Sequence, residues 1–204
     1  MGIYAKFVLP RVTHLSMGQA QLQPYRARVV GSAKGRVLEI GIGSARNLPF
    51  YSDAVEEVVG VDASPEMLAL AERSVASAKR PKVRLLAHPA ERLPFEDHIF
   101  DVALVTWSLC SIADPVTALK EARRVLKAEC ELRFVEHGLS PDADVRKWQD
   151  WLTPLWRRCA GGCHLNRKIG DLVSAAGFVL RQLETGYARG LRPMAYMYEG
   201  TAVR

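Results

Sequence analysis

Apolar and polar positions fall into alternating blocks along this chain, and the blocks change period. Short apolar runs at 36–43, 55–64, 82–89, 98–109 and 131–137 have the length and the Val/Ile/Leu content of strands. The run 98–109 is apolar on successive positions, as a strand covered on both faces must be. Between the runs lie stretches with helical periodicity. Ser64 before Pro65 is a helix start, predicting a helix to about Ala78. Asp114 before Pro115 opens an amphipathic helix over 114–127. Residues 12–31 read as one helix ended by Gly31, and 144–177 as two helices broken at Gly161-Gly162. The last stretch reads as two strands in a hairpin. Strand–helix alternation at this spacing predicts an α/β domain on a mostly parallel sheet. In open sheets of that kind, ligands sit beyond the C-terminal ends of the strands, where the strand order reverses.

Composition narrows this picture without changing it. The 204 residues suit one domain, with 49% hydrophobic and 25% charged positions. A disordered tail, a collagen-like rod and a small cysteine scaffold are excluded. We divide the chain into a basic arm (1–35), a core (36–138) and a final segment (139–204). Charge follows a similar division. The net +6 is +6 over residues 1–36, −6 over 37–145 and +6 over 146–204, so two basic flanks enclose an acidic middle. Cys110, Cys130, Cys159 and Cys163, with no secretory signal ahead of them, predict free thiols and a cytoplasmic setting. The apolar start is interrupted at Pro10-Arg11, too early for a signal peptide or a membrane span.

The chemistry begins at the end of the first strand. Glu39-Ile40-Gly41-Ile42-Gly43 lets the backbone turn sharply and lets a ligand approach closely. Asp62 ends the second strand, where a carboxylate can take ribose hydroxyls. A dinucleotide site needs Gly or Ala at the sixth loop position, for close packing around a pyrophosphate. Arg46 stands there. A phosphate-free nucleoside cofactor with a cationic part fits better, and S-adenosylmethionine meets that description.

Residues 37–51, 58–68, 91–104 and 121–138 together resemble a class I S-adenosylmethionine-dependent methyltransferase of the methyltransferase type 11 group. Segments 106–112, 135–138, 161–169, 175–178 and 191–200 are similar to the alkyl-thiol methyltransferase-like proteins, whose members act on or near lipid membranes. Ala45 departs from the family at a loop position that is usually Gly. Ala128-Glu129-Cys130 departs where a Pro-Gly-Gly turn is usual, with an expected cost in local stability. The resemblance implies a Rossmann-like, seven-stranded, mostly parallel sheet with helices on both faces and a C-terminal antiparallel hairpin. It implies S-adenosyl-L-methionine as cofactor, with S-adenosyl-L-homocysteine as product, and a small, apolar acceptor such as a thiol. A phospholipid or quinol acceptor, or a non-catalytic membrane-associated module, is the alternative.

Each candidate residue then has an expected role. Glu39 orients the loop or the cofactor's amino group, and Asp62 takes the ribose hydroxyls; Gly41 and Gly43 line the cofactor. Asn47 and Ala63 are their neighbours, Ala90 and Glu91 stand on the adenine side, and Thr106 lies beside the methionine part. His137 and Cys110 are the catalytic candidates, the first as base or substrate orienter; a structural histidine and a packed thiol are the competing readings. Cys159, Cys163 and His164 lack a second ligand pair at metal spacing, so no metal is expected. Trp107, Trp148, Trp151 and Trp156 either wall an apolar pocket or pack in the core. Nucleic acid is not an expected partner, since no aromatic-interleaved basic groove is present. Peripheral contact with a membrane, through the basic flanks, is.

Overall fold

Five of the apolar runs become the parallel part of the sheet: β1 (Gly35–Ile40), β2 (Val55–Asp62), β3 (Lys82–Ala87), β4 (Phe100–Thr106) and β5 (Leu126–His137). The computed structural model describes residues 2–78 and 80–204. The final hairpin, β6 (Val179–Tyr187) and β7 (Tyr196–Val203), completes a seven-stranded sheet in the order β3-β2-β1-β4-β5-β7-β6. β7 lies antiparallel to both β5 and β6. The order reverses between β1 and β4, where Ile40 pairs with Val61 on one side and Val105 on the other. The C-terminal ends of β1, β2 and β4 therefore meet at one place.

Strand alternation sorts side chains to two faces. Val37, Val58, Val102, Leu104 and Val135 pack under α2 (Gln23–Gly31) and α3 (Pro65–Ser77). Leu38, Ile40, Ala103, Val105 and Phe134 pack under α4 (Pro115–Val125) and α6 (Ile169–Ala175). Both predicted caps form. The Ser64 hydroxyl accepts from the Met67 amide at 3.2 Å, and the Asp114 carboxylate from the Thr117 amide at 3.0 Å.

Four local expectations are corrected. Residues 12–31 are not one helix: α1 (Leu9–Ser16) ends in a turn at Met17-Gly18, and a 3-10 turn (Ala20–Leu22) leads into α2. Pro24 explains the break, because a proline has no amide to continue a helix from above and is stable only in the first turn. Pro10 likewise starts α1 and does not end a segment. The fourth strand stops at Thr106, since Trp107 takes a left-handed backbone with φ 49°. The fifth begins directly after α4, at Leu126, with Glu129 at φ 59° and a register shift in its pairing with β4.

Candidate active site

Beyond the ends of β1, β2 and β4 lies a cavity of about 610 Å³, a size typical of small-molecule sites. All nine residues expected at the cofactor, Glu39, Gly41, Gly43, Asn47, Asp62, Ala63, Ala90, Glu91 and Thr106, line it. The reversal of strand order brings them together from four separate strand ends.

The loop after β1 is bent by Gly41 (φ 69°) and Gly43 (φ 56°). A Cβ at Gly41 would lie 2.3 Å from that of Ser108, so the loop has no room for a side chain there. The Gly43 amide donates to Asp62 Oδ2 at 2.9 Å, and the Ser64 amide to Asp62 Oδ1 at 2.8 Å. These bonds fix the carboxylate plane and leave each oxygen a lone pair for a ligand in the cavity. Burial raises the Asp62 pKa, and the two amides oppose the rise.

Glu39 is 1% exposed. It accepts from Asn47 Nδ2 at 2.7 Å and from the Tyr51 hydroxyl at 2.6 Å. Burial pushes its pKa up to about 7, while the hydrogen bonds and the nearby Arg26 pull it down. Asn47 also donates to Thr106 Oγ1 at 2.9 Å, tying the loop to the end of β4. Strand alternation is why these groups meet, as Glu39 and Thr106 project to the same face of the sheet as Val37 and Leu104.

Several residues of this network carry no signal in the sequence. Arg26, on α2, donates to Asn47 Oδ1 at 2.9 Å and to the Met17 carbonyl at 2.8 Å, and stacks on Trp107 at 4.6 Å. Burial lowers its pKa to about 10. A charged residue on a short helix far upstream carries no local signal of this role. Glu136 is fully buried and accepts from the Ser108 and Leu109 amides at 2.6 and 2.8 Å, pinning the turn after β4. Nor was a role assigned to α1, whose Leu9, Pro10 and Thr13 form one wall of the cavity. His14 Nδ1 meets Ser44 Oγ at 2.8 Å, and Arg46 donates to the His14 carbonyl at 3.0 Å. Arg46 thus holds the N-terminal helix over the loop.

The two catalytic candidates are not on the cavity wall. Cys110 is buried. His137 places Nε2 3.2 Å from Cys163 Sγ. The segment after Cys163 covers His137: Gly138 lies so close to it that a Cβ would be 2.4 Å from the Arg167 carbonyl. The adjacency in sequence of Cys159, Cys163 and His164 is not used either. The Cys159 thiol donates back into its own helix, and His164 bonds the Cys110 carbonyl.

A family model described as a methyltransferase domain matches residues 38–134, which run from within β1 to within β5. Thiol S-methyltransferase TMT1B of Rattus norvegicus is 32% identical over 151 residues, 72% of this chain and 62% of the relative. Residues 38–134 are a methyltransferase domain. A phosphatidylethanolamine N-methyltransferase of Cereibacter sphaeroides is 34% identical over 60% of this chain and 61% of its own length. The chain spans less than two thirds of the length of both relatives. A solved S-adenosylmethionine-dependent methyltransferase of Thermotoga maritima shares the fold of this methyltransferase, with a TM-score of 0.70 over 99% of both chains at 23% identity.

The residues present suit the family's cofactor. Asp62 offers free lone pairs into the cavity, the tight glycine turns admit close backbone approach, and the Gly41, Ile42 and Gly43 amides are already bonded to Val61 and Asp62, so they do not form a nest for a pyrophosphate.

Proposed function

We propose that this methyltransferase moves a methyl group from S-adenosylmethionine to a small, apolar acceptor bearing a thiol. The observation that carries the reading is Asp62: a carboxylate held by two backbone amides at the strand-order reversal, on the wall of a cavity of about 610 Å³. The sulfonium of the cofactor supplies an electrophilic methyl. The chain's part is to bind and orient. Asp62 takes the ribose hydroxyls; Glu39, Asn47 and Thr106 form a polar seat for the methionine part; Ala63, Ala90 and Glu91 bound the adenine side. The region 36–138 acts as cofactor-binding core, and the arm 1–35 and segment 139–204 supply the acceptor side.

The acceptor choice rests on what lines the rest of the cavity. Ala5, Leu9, Pro10, Ile112 and Ala160 are apolar, and neither His137 nor Cys110 is present there as a base. A thiol suits such a wall because its thiolate is strongly nucleophilic and needs little help in losing its proton. Holding donor and acceptor in line is then the main catalytic task. The likeness to thiol S-methyltransferase TMT1B supports the same reading.

A phospholipid acceptor is the second reading, and one observation favours it. Ile3, Phe7, Val12 and Leu15 around α1, and Trp148, Trp151 and Leu155 on α5 (Ala143–Cys159), are exposed apolar side chains. Lys6 and Arg11 stand among the first group, and Arg157 and Arg158 end the second helix. Such a surface suits peripheral docking on an anionic bilayer. No helix among the described residues is long and apolar enough to cross a membrane.

Labelled S-adenosylmethionine offered with an alkyl thiol, phosphatidylethanolamine or a quinol distinguishes the readings. Label on the alkyl thiol is the expected result. Label on phosphatidylethanolamine or the quinol alone replaces the thiol reading, and no label on any acceptor with no calorimetric binding of cofactor or S-adenosylhomocysteine removes the enzyme reading. In the same assay Asp62→Ala should weaken cofactor binding by about tenfold or more, the worth of a charged hydrogen bond; unchanged affinity refutes the ribose role.

A further inference from the structure

Away from the cavity wall, three side chains from separate segments converge. Cys110 lies in the turn after β4, His137 ends β5, and Cys163 lies in the turn after α5. Their sulfur and ring-nitrogen atoms are all within 4.8 Å of one another. We infer that Cys110, His137 and Cys163 form a binding site for one thiophilic divalent cation of the zinc class.

The donor set fits that ion: two thiols and an imidazole are its preferred borderline-soft ligands. The spacing fits as well. Tetrahedral coordination at the usual bond lengths puts such donors roughly 3.5–3.8 Å apart, and His137 Nε2 to Cys163 Sγ is 3.2 Å. Small side-chain adjustments reach that geometry.

The scaffold is rigid before any ion arrives. The His164 amide donates to the Cys110 carbonyl at 2.8 Å, and the Leu139 amide to the Arg167 carbonyl at 2.8 Å. Arg167 donates to the carbonyls of Leu109 and, at 2.7 Å, Ile112. These bonds clamp the turn carrying Cys163 onto the strand ends carrying the other two ligands. Sites held on such a frame lose little entropy on binding. Cys110 Sγ lies 3.5 Å from Ser111 Oγ and 3.7 Å from the Trp107 carbonyl, and His137 Nδ1 and Glu136 Oε2 nearby are buried without a partner. Two thiolates also cancel the charge of a dication.

The ion would join the ends of β4 and β5 to the turn after α5. Gly161, two residues before Cys163, lines the cavity. The site is thus a clip that holds the acceptor-side wall in place, and it stands whatever the methyl acceptor proves to be.

The test uses the full chain, purified under reductant and stripped with a chelator, then titrated with Co²⁺ and Zn²⁺. Saturation at one Co²⁺ per chain, with thiolate-to-cobalt charge-transfer absorption that Zn²⁺ displaces, is the expected result. Zn²⁺ at a hundredfold excess over Kd should raise Tm by roughly 5–10 °C in a chain of this length. Cys110→Ser and Cys163→Ser should each weaken binding at least tenfold, whereas Cys130→Ser and Cys159→Ser should retain it. Wild-type protein with four reduced thiols and no saturable binding overturns the proposal. So does binding that survives in both Cys110→Ser and Cys163→Ser, or a Cys110–Cys163 disulfide that persists under the reductant. The wild-type titration reads the site directly, so the proposal stays testable even where a serine variant fails to fold.

Discussion

Glu39 shows how one residue's environment sets its chemistry. In sequence it is an acid at a strand end; in the fold it is 1% exposed, with both carboxylate oxygens occupied. Its pKa is pushed up to about 7, from 4.5 in a peptide, chiefly by burial. The folded state therefore holds this proton more tightly than the unfolded chain does. The stability this adds is complete below about pH 4.5, falls as pH rises to about 7, and is absent above that. In chemical denaturation, the stability of the wild type relative to Glu39→Gln should drop by about 3 kcal/mol across that window. A difference that stays flat with pH would mean that Glu39 titrates in the fold as it does in the unfolded chain. Asp62 was legible from the sequence because its position follows from the strand pattern. Arg26 and Glu136 were not, because what defines them is which distant backbone and side-chain groups they reach.

At the scale of elements, the departures from the family pattern have measurable consequences. Ala45 and Glu129 both stand in left-handed backbone, at φ 58° and 59°, where the family usually has glycine. Such a conformation costs a residue with a Cβ about 1–2 kcal/mol. Ala45 is buried, so its methyl group recovers part of that cost by packing. Glu129 is exposed at the start of β5 and recovers nothing. Glu129→Gly should stabilise the protein by about 0.5–1 kcal/mol, after allowing for the greater freedom of glycine in the unfolded chain. A Tm raised by roughly 2–3 °C is the expected readout; a fall in Tm would show that the turn is unstrained. Element identity was legible wherever a cap or an uninterrupted apolar run marked it, as at Ser64, Asp114 and β4. The arm was misjudged because Pro10 and Pro24 mark starts as readily as stops, and only the contacts of α1 with the cavity decide between them.

Over the whole molecule, charge and exposed apolar surface coincide on the flanks. The acidic middle of the chain holds Glu39 and Asp62, the groups proposed for a cationic cofactor, and the basic flanks carry the exposed apolar residues of α1 and α5. The protein should co-sediment with vesicles containing phosphatidylserine and be released by salt, whereas neutral vesicles should bind it weakly. Equal binding to both vesicle types would remove the electrostatic part of this reading; no binding to either would remove the membrane contact. By itself the sequence determined the strands, the capped helices, the glycine turn and the acid at the end of the second strand. Those are local: periodicity, capping and turn chemistry act over a few residues, and strand alternation carries them to one end of a sheet. Only the tertiary structure decided that α1 walls the cavity, that His137 and Cys110 stand apart from it, and that both meet Cys163. Those pairings join residues 26 to 53 positions apart through the order of strands in the sheet and the packing of a late turn against their ends, and no local pattern encodes a distance of that kind.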